Sequence, residues 1–395
     1  MSKLRELIDK YCPNGVEYKP LGDKDVSIMQ RGTSLTKKDS TEGIYPVISG
    51  GKTPAFYCDL SNRNGETITV AGSGAGAGYV QYWNEPIFVC DAFSIKGVGD
   101  VSTKYLYYCL VNMQEKIYAT KKGGGVPHVH ISSIDKFLIP IPPPPVQEEI
   151  VKILDRFAEY AAELQAELQA RQEQYEYYRN KLLTFNEIGG GIQGVIWMKM
   201  SEIGTFIRGN GLQKKDFTES GIPCIHYGQI YTHYGTFATK TKSYVSSETA
   251  KKCKKAHCGD LVFATVSENI DDVCKCVAWL GNEEICISGD SLAFSHNQNP
   301  KYIAYYFQTY AFARYKRSRV TGTKVIRLHQ SQLEQFEIPI PSLAEQARIV
   351  NILDKFERLV SDLVQGLPAE IASVQEQYEY YRDKLLSFPE YKLSA

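Results

Sequence analysis

The sequence QEQYEYYRNKLLTF occupies residues 172–185, and it returns as QEQYEYYRDKLLSF at residues 375–388. Two shorter segments also occur twice. IPIP is found at 139–142 and at 338–341, and IVKILDRF at 150–157 returns as IVNILDKF at 349–356. The chain is therefore an internal duplication. The offset is 199 residues for the shorter pairs and 203 for the longer one, so the second copy carries four additional residues between them.

Both copies have the apolar period of a coiled coil. In the first copy, seam positions advance by alternating steps of four and three residues. They are Ile150, Leu154, Phe157, Ala161, Leu164, Leu168, Arg171, Tyr175, Tyr178, Leu182 and Phe185. The second seam comprises Ile349, Leu353, Phe356, Val360, Leu363, Leu367, Ile371, Val374, Tyr378, Tyr381, Leu385 and Phe388. Two long helices with matching seams are predicted to pack on each other.

The second seam is interrupted at Leu367, where two steps of four residues adjoin. Such a stutter unwinds a coiled coil locally. Gly366 and Pro368 flank the same point, so we expect the second helix to be kinked or broken near 366–368. Residues 342–345, SLAE, have the spacing of a capping box and mark its start.

The composition is that of a globular protein of two or three domains. The 395 residues are 43% hydrophobic and carry no net charge. Continuous runs of 18 apolar residues are missing and the first ten residues are charged, so we expect a cytoplasmic protein without membrane insertion. The ten cysteines lack metal-ligand spacing, which favours reduced buried thiols over a zinc site or disulfides.

Charge is distributed unevenly along the chain. Residues 1–144 carry +2 (16 basic, 14 acidic) and residues 200–337 carry +4 (17 basic, 13 acidic). Residues 145–188 carry −4 (5 basic, 9 acidic) and residues 338–395 carry −3 (6 basic, 9 acidic). Basic globular blocks and acidic helices are expected if the blocks, and not the helices, meet a polyanion.

Five segments follow from these patterns. They are a first globular domain with a short N-terminal helix (1–144), a first long helix (145–188), a glycine-rich linker (189–199), a second globular domain (200–341) and a C-terminal helix (342–395). Within the first domain the patterns predict a helix over 2–10, strands near 44–48, 66–70 and 87–89, a helix from Lys104 to about Lys121, and another helix start at 132–135.

Segments that resemble cofactor-binding or metal-binding motifs lack the residues or the spacing that those motifs require. The run GSGAGAG at 72–78 lacks the GxGxxG spacing and leads into a predicted strand, so a hairpin or a close backbone approach is favoured over a nucleotide loop. Gly51-Lys52-Thr53 lacks the upstream P-loop glycine, because position 46 is Pro46. The seven histidines show no metal-binding spacing, and a methyltransferase motif is missing. We therefore expect no catalytic, cofactor or metal residue in this chain.

Basic residues do cluster with hydroxyls, amides and aromatics at equivalent places in the two halves. Lysine and arginine neutralise phosphates, glycine lets backbone N–H groups approach them, and histidine, arginine or asparagine can reach base edges. The candidate DNA-binding residues of the first half are Arg31, Lys37, Lys38, Lys52, Ser73, Lys121, Lys122, His128 and His130. Those of the second half are Arg208, Asn210, Lys214, Lys215, His226, Tyr227, Gln229, Lys316, Arg317, Arg319, Thr323, Lys324, Arg327 and His329.

Two variable blocks, each followed by a long helix that begins after IPIP and ends with YEYYRxKLLxF, resemble the specificity (S) subunit of Type I restriction-modification enzymes. The resemblance covers essentially the whole chain. It implies an α+β fold in which two mixed α/β target recognition domains are separated by two long antiparallel coiled-coil helices with pseudo-twofold symmetry. Each domain would read one half of a bipartite, asymmetric double-stranded DNA site.

The resemblance also implies partners and their cofactors. The helices would hold two modification subunits that carry S-adenosylmethionine, and restriction subunits with ATP-driven translocation and Mg would join them. The chain itself would be non-catalytic. Other classes stay open on the residues alone: a coiled-coil adaptor without DNA binding, a stand-alone methyltransferase or nuclease, and a repeat protein that binds a small ligand.

Overall fold

The computed structural model describes residues 2–123, 125–185, 195–361 and 366–391. These residues form two compact units. Unit 1 comprises residues 1–165 and 370–395, and unit 2 comprises residues 166–369. The unit boundaries therefore fall inside the long helices, because each unit combines one globular block with parts of both. Leu363 and the predicted linker residues 189–194 lie outside the described residues.

Unit 1 contains nine strands among its described residues, and they form three sheets. The strands are β1 (Glu17–Pro20), β2 (Ser27–Arg31), β3 (Tyr45–Ile48), β4 (Phe56–Cys58), β5 (Thr67–Ala71), β6 (Val80–Trp83), β7 (Phe88–Val89), β8 (Ala92–Gly97) and β9 (Leu138–Ile141). The sheets have the orders β2-β8-β5-β6, β4-β3-β7 and β1-β9. All five positions of β5, sequence TITVA, are buried, which suits a β-branched strand between two neighbours.

The helices of the first half are α1 (Ser2–Tyr11), α2 (Thr103–Asn112), α3 (Gln114–Ala119), α4 (Ile131–Ile134) and α5 (Pro144–Leu183), and a short 3-10 helix covers Lys37–Asp39. One continuous helix was predicted from Lys104 to about Lys121. This prediction is wrong, because the backbone leaves the helical region at Met113, between α2 and α3. Gln114 then binds the preceding hairpin loop, donating to the Gly78 carbonyl at 2.7 Å and accepting from the Val80 N–H at 3.1 Å. The helix predicted to start at 132–135 is the single turn α4, whose N-cap is His130.

The glycine-rich run at 72–78 connects β5 to β6 as an antiparallel hairpin, in which Val70 pairs with Val80. This confirms the prediction of a hairpin over a nucleotide loop. Gly78 has φ +82°, and a Cβ there would lie 3.2 Å from both Ile117 and Val129. Glycine is required at this position because of its left-handed backbone and because of the close packing around it.

Unit 2 repeats several of the strand pairings of unit 1 and contains more strands among its described residues. Its strands are β10 (Ile196–Lys199), β11 (Gly204–Arg208), β12 (Phe217–Thr218), β13 (Ile222–Ile225), β14 (Phe237–Ala238), β15 (Ser243–Val245), β16 (Lys255–Ala256), β17 (Leu261–Ala264), β18 (Val266–Ser267), β19 (Cys276–Trp279), β20 (Ile285–Ile287), β21 (Ser291–His296), β22 (Ile326–Arg327) and β23 (Glu337–Ile340). Its sheets have the orders β11-β21-β17-β19-β14, β12-β15-β13-β20-β16, β18-β22 and β10-β23.

Helices of the second half are α6 (Met200–Ile203), α7 (Tyr227–Thr232), α8 (Ser247–Lys252), α9 (Pro300–Tyr306), α10 (Tyr310–Arg317), α11 (Gln330–Glu334), α12 (Leu343–Ser361) and α13 (Leu367–Leu385), with a 3-10 helix at Lys214–Asp216. The glycine-rich linker was predicted to end at Lys199. This boundary is wrong, because Ile196–Lys199 form strand β10. Strand β10 pairs antiparallel with β23 there, just as β1 pairs with β9.

The duplication extends to the register of the strands. In unit 1, β2 pairs with β8 so that Arg31 lies opposite Phe93, and in unit 2, β11 pairs with β21 so that Arg208 lies opposite Leu292. The glycine after each arginine is in close contact with the adjacent turn. A Cβ on Gly32 would lie 2.0 Å from the Cys90 carbonyl oxygen, and one on Gly209 would lie 2.1 Å from that of Ser288. Side chains are therefore excluded at both positions.

The long helices pair antiparallel inside each unit. In unit 1, the ring of Phe157 lies 5.5 Å from that of Tyr381, and the Tyr160 hydroxyl donates to Glu370 at 2.6 Å. In unit 2, the ring of Tyr178 lies 5.4 Å from that of Phe356. The described seam positions are buried or half-buried, whereas most of the other described residues of these helices are exposed. The predicted antiparallel coil and the mixed α/β fold class are thus confirmed.

The C-terminal helical region consists of α12 and α13, and Gly366 forms a bend directly before α13, in which Pro368 is the second residue. The predicted capping box is half formed. The Ser342 hydroxyl accepts from the Glu345 N–H at 3.3 Å, but the Glu345 carboxylate pairs with Arg348 at 2.6 Å. No helix within the described ranges is both long and apolar enough to span a bilayer.

Candidate nucleic-acid interface

In unit 1, backbone hydrogen bonds bring three separated segments together beside Arg31. The Gly72 N–H donates to the Asp91 carbonyl at 3.0 Å, and the Val129 N–H donates to the Gly72 carbonyl at 2.9 Å. Lys122 and His128 exchange both of their backbone hydrogen bonds, at 3.0 and 2.8 Å, and so form a narrow ribbon. The glycine-rich hairpin, the turn before β8 and the basic loop therefore meet at one place.

The side chains at this place are polar and mostly open to solvent. The Ser73 hydroxyl donates to the Asp91 carboxylate. His128 and His130 are both exposed, and their rings are parallel within 3° with centroids 6.1 Å apart. A shallow cleft of about 200 Å³ is lined by Arg31, Asp91, His128 and His130. Donors, an acceptor and two flat rings are thus presented on one surface.

Unit 2 builds the equivalent place with the same backbone contacts. The Thr265 N–H donates to the Asp290 carbonyl at 3.0 Å, and the Leu328 N–H donates to the Thr265 carbonyl at 3.2 Å. Thr321 and Arg327 exchange backbone hydrogen bonds at 2.9 Å, as Lys122 and His128 do in unit 1. Arg327 and His329 therefore occupy the positions of His128 and His130, since both pairs are separated by 199 residues.

The side chains differ between the two places although the backbone is shared. The guanidinium of Arg327 pairs with the Asp290 carboxylate at 3.0 Å and is about one-third exposed. The Thr321 hydroxyl lies 3.4 Å from Nε2 of His329. Unit 1 thus presents two imidazoles where unit 2 presents a guanidinium and an imidazole. Different base edges would satisfy these two sets.

Lys316 requires a correction to the candidate set. Its side chain is 6% exposed, and its ammonium group donates to the carbonyl oxygens of Asp271 at 2.7 Å and Val273 at 3.2 Å. Burial lowers the pKa of this ammonium. Buried hydrogen bonds to two carbonyls leave it unavailable to a phosphate. Its counterpart in unit 1 is Ile117, so a buried apolar residue is replaced here by a buried, internally bonded lysine.

The basic residues that follow Lys316 are placed differently. Arg317 is exposed, and its guanidinium lies 3.5 Å from the Asp271 carboxylate. Arg319 is also exposed, and its guanidinium carbon lies 3.8 Å from the ring centre of Tyr315. In unit 1, the ammonium of Lys121 similarly lies 4.0 Å from the ring centre of Tyr118. Each loop therefore holds a cation over an aromatic ring, next to the shared ribbon.

His226 and Gln229 are also held inside the protein. His226 is 6% exposed, its Nδ1 accepts from the Gly228 N–H at 3.2 Å, and burial lowers its pKa. Gln229 accepts from the His226 N–H at 3.1 Å and donates to Ser243 at 2.7 Å. The two residues cap α7, so we assign them a structural role. Tyr227 is half-buried and lines a cleft of about 270 Å³ with Lys214 and Asp290.

Other candidates lie on the surfaces of the two units. Lys37, Lys38, Lys214 and Lys215 are exposed on the two equivalent 3-10 helices, and Lys52, Arg208, Thr323 and Lys324 are exposed as well. The Asn210 side chain accepts from the Lys254 N–H at 2.8 Å and fixes the adjacent turn. These residues stay predictions as DNA contacts.

Two acidic residues of the site were missed by sequence reasoning. Asp91 and Asp290 organise the two equivalent places, through a serine in one unit and an arginine in the other. They are separated by 199 residues, the offset that also relates the two basic loops. Aligning the halves at that offset would have found them, but an acidic residue does not stand out in a search for DNA-binding cations.

A buried brace connects each globular block to its long helix. Gln147 donates to the carbonyls of Asp100 at 3.1 Å and Pro142 at 2.8 Å, and accepts from the Ser102 N–H at 2.9 Å. In unit 2, Gln346 donates to the Pro341 carbonyl at 2.9 Å. Its other bonds join the Gln298 side chain at 2.8 Å and the Asn299 N–H at 2.9 Å. Each globular block is thereby fixed relative to the long helix that leaves it.

A second contact repeats beside each glutamine. Lys104 pairs with Asp155 at 2.7 Å, and the Tyr108 hydroxyl donates to the same carboxylate at 2.5 Å. In unit 2, Lys301 and the Tyr305 hydroxyl bind Asp354 at 2.5 and 2.7 Å. Burial, together with the bound carboxylates, raises the pKa of both tyrosines, so their hydroxyls stay donors.

The combination of two equivalent mixed α/β units, long antiparallel helices and a basic surface in each unit defines a class of internally duplicated recognition proteins. Comparison with known proteins agrees. The family model described as the Type I restriction modification DNA specificity domain matches twice, at residues 13–174 and 195–373. The chain belongs to the Type I restriction-modification specificity-subunit family.

Relatives support this assignment over nearly the full length. The chain is 30% identical to the Type I restriction enzyme EcoR124I/EcoR124II specificity subunit of Escherichia coli, covering 98% of each chain. It is also 30% identical to a putative type I restriction enzyme specificity subunit of Haemophilus influenzae, covering 98% of this chain and 100% of the relative.

Solved structures show the same fold at lower identity. The S subunit of a Type I restriction-modification system from M. genitalium aligns with a TM-score of 0.57 at 18% identity, covering 94% of this chain and 96% of that one. A chain from a study of complex assembly and conformational transition of the type I R-M system aligns with a TM-score of 0.58 at 16% identity, covering 95% and 98%.

Proposed function

We propose that this chain is the DNA-reading subunit of a Type I restriction-modification complex, and that each unit reads one half of a bipartite site. The observation that carries this proposal is the repeated surface, in which a basic ribbon, a carboxylate and an arginine-glycine turn recur with the same backbone contacts. Cations next to such a ribbon position phosphates, and the side chains on the ribbon reach base edges.

The two half-sites differ in sequence. His128 and His130 in unit 1 correspond to Arg327 and His329 in unit 2, and equivalent positions with different hydrogen-bonding groups select different bases. The site as a whole is therefore asymmetric even though the protein is internally duplicated.

Chemistry on the DNA belongs to partner subunits in this proposal. Two modification subunits carry S-adenosylmethionine and transfer the methyl group, and restriction subunits supply ATP-driven translocation and Mg-dependent cleavage. This chain holds them in place and contributes no catalytic residue. Groups of three or more acidic, histidine or cysteine side chains suited to a metal were not found among the described residues.

An exchange of one block tests the proposal. Residues 1–138 are replaced by the equivalent block of a relative with a different specificity, and the methylated sites of the complex are mapped by methylome sequencing. We expect one half-site to change and the other to be retained, because each unit has its own core and its own ribbon. A change in both half-sites would contradict independent reading.

A second measurement separates this function from its alternatives. The isolated chain is assayed for methyl transfer from S-adenosylmethionine and for DNA cleavage, and we expect neither. Methyl transfer by the isolated chain would indicate a stand-alone methyltransferase. The absence of any salt-dependent DNA affinity, in the isolated chain and in the complex, would indicate a protein-only adaptor.

A further inference from the structure

In unit 1, the carboxylate of Asp91 is bonded by a hydroxyl group. The Ser73 hydroxyl donates to it. Ser73 lies opposite His128 in an isolated antiparallel bridge, and the exposed His128 lines the same shallow cleft as Asp91. The imidazole on this ribbon is therefore next to a carboxylate that a neighbouring hydroxyl already occupies.

In unit 2, the equivalent carboxylate is bonded by a guanidinium group. Arg327 lies opposite Val266 in the pairing of β22 with β18, so these two residues take the places of His128 and Ser73. Val266 is apolar and 6% exposed, so it has no hydroxyl to donate to Asp290. The guanidinium of Arg327 donates to Asp290 instead, with Nη1 3.0 Å from Oδ1. Two different side chains around one carboxylate therefore make it the support of an arginine.

The backbone holds both members of this pair in place. Arg327 and Thr321 exchange both of their backbone hydrogen bonds, each 2.9 Å long. The Asp290 carbonyl accepts from the Thr265 N–H at 3.0 Å and from the Thr265 hydroxyl at 2.9 Å. The side chains of the pair are 33% and 35% exposed, so the guanidinium is restrained and still reaches solvent. Ordering this long side chain before binding lowers the entropic cost of a contact.

The pair is electrically neutral, unlike the exposed cations of the same unit. The carboxylate compensates the charge of Arg327, so the pair attracts phosphate weakly, and a bare carboxylate would repel the DNA backbone. A guanidinium has five N–H donors and no acceptor, and the contact with Asp290 uses a donor of Nη1. The pair therefore presents donors with a fixed direction. Directed donors suit a base edge, because base edges and not phosphates carry the sequence.

We propose that Arg327 reads a guanine in the half-site of unit 2, and that Asp290 is the positioning residue that directs its guanidinium. This inference rests on the proposed function. In the major groove guanine presents two acceptors, N7 and O6, whereas adenine and cytosine present an amino donor and thymine presents one acceptor beside a methyl group. Two parallel N–H donors of a guanidinium match guanine alone. Arg327 is therefore a specificity-determining residue.

The test measures base preference at one position in the assembled complex. The full-length chain is combined with the modification subunit, and the methylated sites of a random-sequence plasmid library are mapped by methylome sequencing. The half-site of unit 2 is the one that is retained when residues 1–138 are exchanged, and in wild type it should contain a G·C pair. Arg327→Ala should reduce the preference for one such pair by roughly 5- to 150-fold, the discrimination of one bidentate contact, with the other positions unchanged. Arg327→Gln, which keeps a long polar side chain, should lose the same preference.

The aspartate is tested at the same base pair. Asp290→Asn should relax it, because the neutral amide no longer directs the guanidinium. The double variant Arg327→Ala/Asp290→Ala should relax it no further than Arg327→Ala alone, because Asp290 acts through the arginine. Arg317→Ala is the matched control, since it removes an exposed arginine that is expected to contact phosphate. It should lower methylation evenly at all sites and leave the recognised sequence unchanged.

Thermal unfolding of every variant verifies the fold. A half-site of unit 2 without a G·C pair would overturn the proposal, and so would an unchanged guanine requirement in folded Arg327→Ala or Arg327→Gln. Relaxation of the whole half-site, or loss of all methylation with a lowered melting temperature, would show that the pair maintains the fold and would overturn the proposal as well. The proposed function fails separately, if the wild-type complex methylates no DNA or if the exchange of residues 1–138 changes both half-sites.

Discussion

Three basic residues near the end of α10 allow a direct test of which cations meet DNA. Lys316 is buried, and its ammonium group is bonded to two backbone carbonyls, whereas Arg317 and Arg319 are exposed. We expect the double variant Arg317→Ala/Arg319→Ala to bind DNA more weakly and with a flatter dependence on salt. We expect Lys316→Met to leave the salt dependence unchanged and to lower stability instead.

The magnitudes follow from the contacts. Each phosphate contact contributes about 0.9 to the slope of log affinity against log salt, so loss of two arginines reduces the slope by up to about 1.8. Lys316→Met leaves the carbonyls of Asp271 and Val273 without their donor, at a cost of about 1 kcal/mol each. For a unit of this size that corresponds to a melting temperature roughly 4–8 °C lower.

The assay is fluorescence anisotropy of a labelled, random-sequence duplex over a series of salt concentrations, with thermal unfolding measured in parallel. A random sequence isolates the phosphate contribution and needs no knowledge of the target site. Arg358→Ala, which removes an exposed arginine from α12, is the matched control and should change neither quantity. A slope that falls for Lys316→Met as much as for the arginine pair would refute the reasoning, because the buried ammonium would then have to leave its carbonyls to reach DNA.

Three further predictions concern the brace, a partly buried histidine and the coil. Gln147→Leu removes three buried hydrogen bonds and should lower the melting temperature of unit 1 by roughly 6–12 °C. Gln346→Leu should lower the melting temperature less, because one of its partners is a side chain that can turn to solvent. Equal melting curves for wild type and both variants would contradict the role of these glutamines as a brace. Burial lowers the pKa of His296 to about 4, below its unfolded value of 6.5, so its contribution to stability is present above pH 6.5 and is lost as pH falls toward 4. The free energy of unfolding of His296→Gln should therefore depend less on pH across that range than that of wild type. An unchanged pH dependence would show that His296 is not the group responsible. Seven residues inserted within 164–168 extend the helix by about 10 Å and nearly preserve the seam, so the unread DNA spacer should lengthen by up to about three base pairs with both half-sites retained. An insertion of four residues rotates the following seam by about 40°, so this variant should fold less well. An active seven-residue variant that keeps the original spacer in methylome sequencing would show that the helices do not set the spacer length.

The repeated sequence accounted for the helical part of the fold. Ile150, Leu154 and Phe157 recur as Ile349, Leu353 and Phe356, and their spacing alone predicted the seams and their pairing. This inference succeeds because coil packing depends on the period of apolar residues and little else. The mixed α/β class followed from short β-branched runs between turns, which is again a local property.

The details that depend on distant partners did not follow from the sequence. The helix predicted from Lys104 is interrupted at Met113, next to Gln114, whose side chain bonds the loop before β6. The predicted capping box at Ser342 is half formed because Glu345 pairs with Arg348. A propensity or a motif states what a segment can do locally, and tertiary contacts decide between the alternatives.

The sequence by itself determined that this protein is a duplicated chain with two long paired helices, two basic blocks and the family to which they point, because periodicity, repeats and charge counts can be read without coordinates. Only the tertiary structure decided which cations are available. Lys316 and Arg317 are adjacent and both basic in sequence, yet one is buried on two carbonyls and the other is exposed. It also brought Asp91 beside Ser73 and Asp290 beside Arg327, since contacts between segments that are far apart along the chain form only when the sheets and loops pack.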